Sequence, residues 1–290
     1  MTAIDKLYEK IKTHGHVCVG LDTCIDYVPK SERSKGNDAE AVLSFNKALI
    51  DATIEVAACF KVQIAYYEEK GIEGLKAYSE TLKYIRQKGG IAIADIKRGD
   101  IADTAIRYAN GHFSGDFEAD LVTLNPYMGI DAITPWLTKA KLNGKGAFVL
   151  MRTSNPGMRD FEYLETTNGK KVYHIVGDKL SALANETKGN CGYGMFGAVV
   201  GCTEREEAAE IRAAYPDLFF LIPGYGAQGG AAEDAALLLR DGNGGVVNAS
   251  RSIITAWQKE PNNADANNNF AAECALRATV KMRDEIRAVL

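Results

Sequence analysis

The sequence predicts an α/β fold, a single closed (β/α)8 TIM barrel formed as one domain over residues 1–290. Eight short apolar runs recur along the chain, amphipathic stretches separate them, and no linker rich in Pro, Gly or Ser divides it. Strands that alternate with helices pair in parallel, and eight such units over roughly 250 residues are the size of a closed barrel.

The chain opens with MTAIDKLYEKIKTHG, where Ile4, Leu7, Tyr8 and Ile11 recur at helical spacing among charges. The β-branched runs that follow are HVCVGLD (16–22), CFKVQIA (59–65), GIAIADIK (90–97) and ADLVTLN (119–125). GAFVLMRT (146–153), MFGAVVG (195–201), LFFLIPG (218–224) and GGVVNAS (244–250) complete the set. Between them, stretches such as IEGLKAYSETLKYIRQK and TEREEAAEIRAAY place apolar residues three and four apart, as a helix packed on a sheet requires. The longest insertion, from Thr153 to about Lys171, follows the fifth strand, where barrel enzymes carry substrate loops. The polar tract EPNNADANNNF reads as an exposed connection to a last helix, FAAECALRATVKMRDEIRAVL.

Composition narrows the class of function. Apolar residues make up 46% and charged residues 25%, as in a globular enzyme, and the net charge of −4 comes without any window dominated by Lys and Arg. A nucleic-acid partner and a polybasic membrane patch are therefore disfavoured, and a small-molecule substrate is expected. No apolar run reaches the eighteen or so residues that span a bilayer. The first residues lack the apolar core of a signal peptide, and the six cysteines form no CxxC pair, so a reduced, cytoplasmic protein is expected.

Gly224, Gly226 and Gly229 in IPGYGAQGG have GxGxxG spacing. A dinucleotide fingerprint belongs to the first strand–helix turn and is followed by an acidic residue about twenty positions on. Here the motif follows the seventh strand, and the next strand ends in Ser250 and Arg251, an arginine that can also accept the 2′-phosphate of NADP. In a (β/α)8 barrel the loops after strands seven and eight commonly hold a phosphate. A monophosphate site is the stronger reading, with the amides around Gly226 approaching the anion and Gln228 and Arg251 adding donors.

The third strand reads IAIADIK and continues as RGDI. Alternation of period two puts Asp95 and Lys97 on one face, which would point into the barrel at its C-terminal mouth. Lys61 on the second strand can lie beside Asp95, and Asp22 ends the first strand. A row of alternating charges, Lys61, Asp95, Lys97 and Asp100, gathers around one point, either as a self-satisfying ion network or as chemistry at the mouth. Asp22, Asp95 and Asp100 are suitable ligands for Mg²⁺, but two interleaved lysines would repel the ion, so no metal is expected. The histidines offer no alternative: His14 and His16 fall on the N-terminal side, and His112 and His174 have no evident nucleophile partner.

The run Asp95-Ile96-Lys97-Arg98-Gly99-Asp100-Ile101 resembles the DxKxxDI signature of orotidine 5′-phosphate decarboxylases. With the loop Thr153-Ser154-Asn155-Pro156-Gly157, it is similar to their longer, second bacterial-type subgroup. The resemblance spans nearly the whole chain, through Asp22, Lys61, Thr104, PGxGAQGG with Gln228, and Arg251. It departs at Ser250, where many shorter relatives have Gly, and the insertions around 30–37 and 161–171 align with nothing assignable.

The resemblance implies conversion of orotidine 5′-monophosphate to uridine 5′-monophosphate (UMP) and CO2 in pyrimidine synthesis, without metal or organic cofactor. It implies that Lys97 protonates C6, that Asp95 lies beside the substrate carboxylate, and that Lys61 holds Asp95 ionised and orients the ribose. Asp22 would accept ribose hydroxyls, Ser154 would read the pyrimidine edge, and Gln228, Arg251 and the glycine turn would hold the phosphate. It further implies a homodimer with shared sites, Asp100 and Thr104 reaching into the partner's site and Asp100 keeping Lys97 protonated.

Overall fold

In a computed structural model describing residues 1–226, 229–261 and 263–290, the strands close into a parallel barrel in the order β1 to β8. They are β1 Val17–Gly20, β2 Cys59–Gln63, β3 Ala92–Arg98, β4 Leu121–Leu124, β5 Gly146–Arg152, β6 Phe196–Val200, β7 Phe220–Ile222 and β8 Gly245–Ala249. Each falls on one of the eight apolar runs. A closed barrel leaves no sheet edge unpaired, and β1 bonds to β8 through Val17↔Val247 and Cys18↔Asn248.

Side chains alternate between two cores. Val17, Val19, Phe60, Val62, Ala92 and Ala94 join the buried layer between strands and helices, which includes Val42, Phe45, Leu49 and Leu82. Cys18, Cys59, Ile93, Leu121, Phe148, Leu221 and Val246 face inward and form a second cluster with Ile4, Leu7 and Ile11 of the first helix, Ala3–His14. That helix therefore closes the N-terminal end of the barrel and leaves the C-terminal mouth as the open one. Its start is fixed by a capping box: Thr2 Oγ1 accepts from the Asp5 N–H at 3.0 Å, and Asp5 Oδ2 accepts from the Thr2 N–H at 2.8 Å, a cap worth about 1 kcal/mol.

All six cysteines are free thiols. Among the described residues, no helix is long and apolar enough to cross a membrane.

Candidate active site

The strands β1, β2 and β3 deliver charge to the open mouth because the inward face continues past the apolar layer. On β2 the inward series runs Cys59, Lys61, Gln63; on β3 it runs Ile93, Asp95, and then Lys97. Register sets Gly20 beside Lys61 and Gln63 beside Asp95. Gly20 is needed there, since a Cβ at that position would fall 1.9 Å from Ser250 Oγ.

Asp95 sits at the centre of the row and is only 4% exposed. Its Oδ2 accepts from Lys61 Nζ at 2.9 Å and from Gln63 Nε2 at 3.1 Å. Its Oδ1 accepts from Lys97 Nζ at 2.6 Å and from Thr123 Oγ1 at 2.8 Å. Lys61 Nζ also donates to Asp22 Oδ1 at 2.9 Å, and Ser250 Oγ donates to Asp22 Oδ2 at 2.9 Å. Ser250, Asp22, Lys61, Asp95 and Lys97 thus form one continuous hydrogen-bonded chain across the barrel mouth.

Burial opposes charge on Asp95, yet the Lys61 and Lys97 ammonium groups and their hydrogen bonds hold its carboxyl well below the usual carboxylate range. Burial likewise opposes charge on Lys61, but Asp22 and Asp95 together raise its pKa. Lys61 and Asp95 therefore both stay ionised at neutral pH. The side chain of Lys97 is 46% exposed against 6% for that of Asp95, so its ammonium faces open space. Lys97 reaches this position from a left-handed backbone, φ 45°, within an irregular stretch of β3 rather than from the regular alternation the sequence suggests.

These groups line a cavity of about 470 Å³, with Tyr27 and Tyr66 on one side, Leu150, Val199 and Leu221 at its apolar floor, and Ser154 and Arg251 at its rim. That volume suits a small-molecule ligand. Ser154 is positioned by its neighbour: the Thr153 N–H and hydroxyl donate to Glu162 at 2.8 and 2.7 Å, which ties the loop after β5 to the following segment.

In the loop after β7, Gly224, Gly226 and Gly229 have φ of 105°, 69° and 94°, a conformation that excludes most side chains. Gly224 lines the cavity, whereas Gly226 shapes the turn, its N–H donating to Gly230 O at 2.9 Å. Gln228 lies outside the described residues. Arg251 is exposed and has no carboxylate partner among the described residues.

Asp100 and Thr104 stand apart from this cavity. Asp100 is half-buried, with Oδ1 accepting the Ile101 N–H at 2.8 Å, and Thr104 is exposed on the helix Ala102–Phe113. Among the described residues, no group of three or more His, Cys, Asp or Glu is arranged to hold a metal ion.

A sequence model of the orotidine 5′-phosphate decarboxylase / HUMPS family matches residues 15–264. The chain belongs to this family. It is 55% identical over 287 residues to the orotidine 5′-phosphate decarboxylase of Clostridium perfringens (strain SM101 / Type A), covering 99% of this chain and 98% of that protein. Identity to the Clostridium tetani enzyme of the same name is 52% over 284 residues, covering 98% and 97%. The solved structure of Leishmania donovani OMP decarboxylase matches with a TM-score of 0.76 at 32% identity, covering 100% of this chain and 98% of that one.

Three members of this decarboxylase-family site were not anticipated from sequence: Gln63, Thr123 and Ser250 as partners of the carboxylates. Gln63 follows Lys61 by two, so the alternation that places Lys61 also places Gln63. Thr123 follows the inward Leu121 by two on β4. Ser250 stands out in sequence only as a replacement for Gly, and its bond to Asp22 depends on the closure of β8 on β1.

Proposed function

We propose that this chain is an orotidine 5′-phosphate decarboxylase, converting orotidine 5′-monophosphate to UMP and CO2 in pyrimidine synthesis. The observation that carries this reading is the Lys61–Asp95–Lys97 row, buried at one end and open at the Lys97 ammonium, within a cavity that has Arg251 at its rim.

The bond from C6 to the carboxylate breaks and leaves its electron pair at C6. Lys97 Nζ stabilises that developing charge and donates the proton that fills the position, while CO2 departs. Asp95, held ionised by Lys61, directs the Lys97 ammonium toward C6. Asp22, with both oxygens oriented by Lys61 and Ser250, accepts ribose hydroxyls, and Ser154 contacts the base edge. Arg251, Gln228 and the turn containing Gly226 hold the phosphate, whose binding energy, remote from the breaking bond, serves to close the loop after β5. The two ammonium groups supply the positive charge that a metal would otherwise bring, so the reaction in this reading uses neither metal nor organic cofactor.

The chain works as one domain, in the cytoplasm, and as a homodimer with shared sites. Asp100 and Thr104 lie outside their own cavity, and the exposed Ile101, Tyr108, Tyr127, Met128 and Ile130 surround that side of the barrel, which supports a partner subunit there. The test of the activity is direct: purified protein mixed with orotidine 5′-monophosphate after exhaustive chelation is expected to lower the substrate's ultraviolet absorbance and yield UMP. No turnover, or turnover only on adding Mg²⁺, would overturn the reading.

A further inference from the structure

On β3, Ala94 pairs with Val122 and Arg98 pairs with Leu124. Three residues of β3, Asp95, Ile96 and Lys97, therefore stand opposite one residue of β4, Thr123. Such a bulge leaves main-chain groups without ladder partners and bends the strand. Here the partner is a side chain: Thr123 Oγ1 accepts the Ile96 N–H at 3.0 Å and the Lys97 N–H at 2.9 Å. The same hydroxyl donates its one proton to Asp95 Oδ1 at 2.8 Å. A hydroxyl has one donor and two acceptor lone pairs, so all its capacity is used. Thr123 is 1% exposed.

These three bonds meet where the backbone is least comfortable. Lys97 has φ 45°, a conformation costly for a residue with a Cβ, and it persists only where surrounding contacts fix it. Thr123 fixes the Lys97 amide and the Asp95 carboxylate oxygen that the Lys97 ammonium touches at 2.6 Å.

We propose that Thr123 is a positioning residue for the reaction: its hydroxyl holds the β3 bulge so that the Lys97 ammonium and the Asp95 carboxylate meet the substrate at a fixed geometry. Its hydroxyl bonds to neither ammonium group, and acts through the Asp95 carboxylate and the Lys97 amide. The proposal rests on the decarboxylase reading for its kinetic consequence, and on the bulge alone for its structural one.

The experiment compares Thr123→Val, which keeps the shape and removes the hydroxyl, with Thr123→Ser, which keeps the hydroxyl. Thr123→Val is expected to lower kcat for orotidine 5′-monophosphate about 10- to 100-fold, the scale of an ångström misplacement, with KM and UMP binding changed by less than about 3-fold. Thr123→Ser is expected to retain kcat within about 3-fold of wild type. A crystal structure of Thr123→Val is expected to show Lys97 displaced from Asp95 Oδ1. Equal losses in both variants, or an unmoved Lys97 in the Val variant, would overturn the proposal. If Thr123→Val fails to fold, Thr123→Ser decides: a kcat at wild-type level with the bulge intact supports the hydroxyl's role, and a loss like that of an inactive enzyme overturns it. A wild-type protein inert toward orotidine 5′-monophosphate would defeat the decarboxylase reading, while the crystal structures would still judge the role of Thr123 in placing Lys97.

Discussion

Ser250 Oγ donates to Asp22 Oδ2 at 2.9 Å across 228 positions of sequence. The bond joins the end of β8, one residue before Arg251, to the end of β1, and through Asp22 to the Lys61–Asp95 pair. Ser250, next to the Arg251 proposed to hold the phosphate, thus orients Asp22, the carboxylate proposed for the ribose. Ser250→Ala is expected to raise KM for orotidine 5′-monophosphate about 10-fold, the worth of a hydrogen bond to a charged group, with a smaller change in kcat. Steady-state kinetics check this; an unchanged KM would mean that Lys61 alone orients Asp22.

Arg251 is an exposed cation at the cavity rim. Arg251→Ala is expected to weaken kcat/KM for the nucleotide by several kcal/mol, roughly a thousandfold, and barely to affect the unphosphorylated nucleoside. Comparable losses for both substrates would mark Arg251 as structural.

Asp95 carries a pH signature. Its folded pKa lies below the unfolded value of about 3.9, so its contribution to stability is complete above about pH 4 and is lost as pH falls further toward the folded value. Asp95→Asn is expected to cost about 3 kcal/mol at pH 7, as when one partner of a buried ion pair is removed. Denaturant unfolding at several pH values checks both parts: the gap from wild type holds from pH 8 to pH 5 and narrows below pH 4. A gap that stays constant into strong acid would contradict the ion-pair origin.

Much of this site was legible because alternation on a strand is local. Lys61, Asp95 and Asp22 are placed by the apolar runs that contain them, and the barrel follows from the order of those runs. Other features depend on pairing between distant segments. Nothing in DIKRGDI states that Asp95, Ile96 and Lys97 will all face Thr123, because register is set by how β3 meets β4. A threonine within ADLVTLN looks like an ordinary β-branched strand residue until its hydroxyl is found bonded to the Asp95 carboxylate. The Ser250 bond to Asp22 requires the barrel to close. Asp100 and Thr104 were placed with the site through resemblance, and in one chain they lie outside the cavity.

Their position motivates a mixing experiment. If Asp100 completes the partner's site, Lys97→Ala and Asp100→Ala proteins are each nearly inactive alone. After subunit exchange at equal amounts, random pairing leaves roughly a quarter of all sites intact, and activity is expected to rise to about that fraction of wild type. Exchange demonstrated by mass spectrometry without recovered activity would assign Asp100 to its own chain.

The most direct measurement compares wild type and Lys97→Ala in deuterium oxide with orotidine 5′-monophosphate, reading CO2 release and the isotopic content of UMP. Wild type is expected to release one CO2 per UMP carrying one deuteron at C6. Lys97→Ala is expected to turn over at least about 1000-fold more slowly while still binding UMP, since the proposed phosphate and base contacts lie elsewhere. Near-normal turnover by Lys97→Ala, or no UMP from the wild-type protein, would contradict the assignment of Lys97 as the proton donor of a decarboxylase.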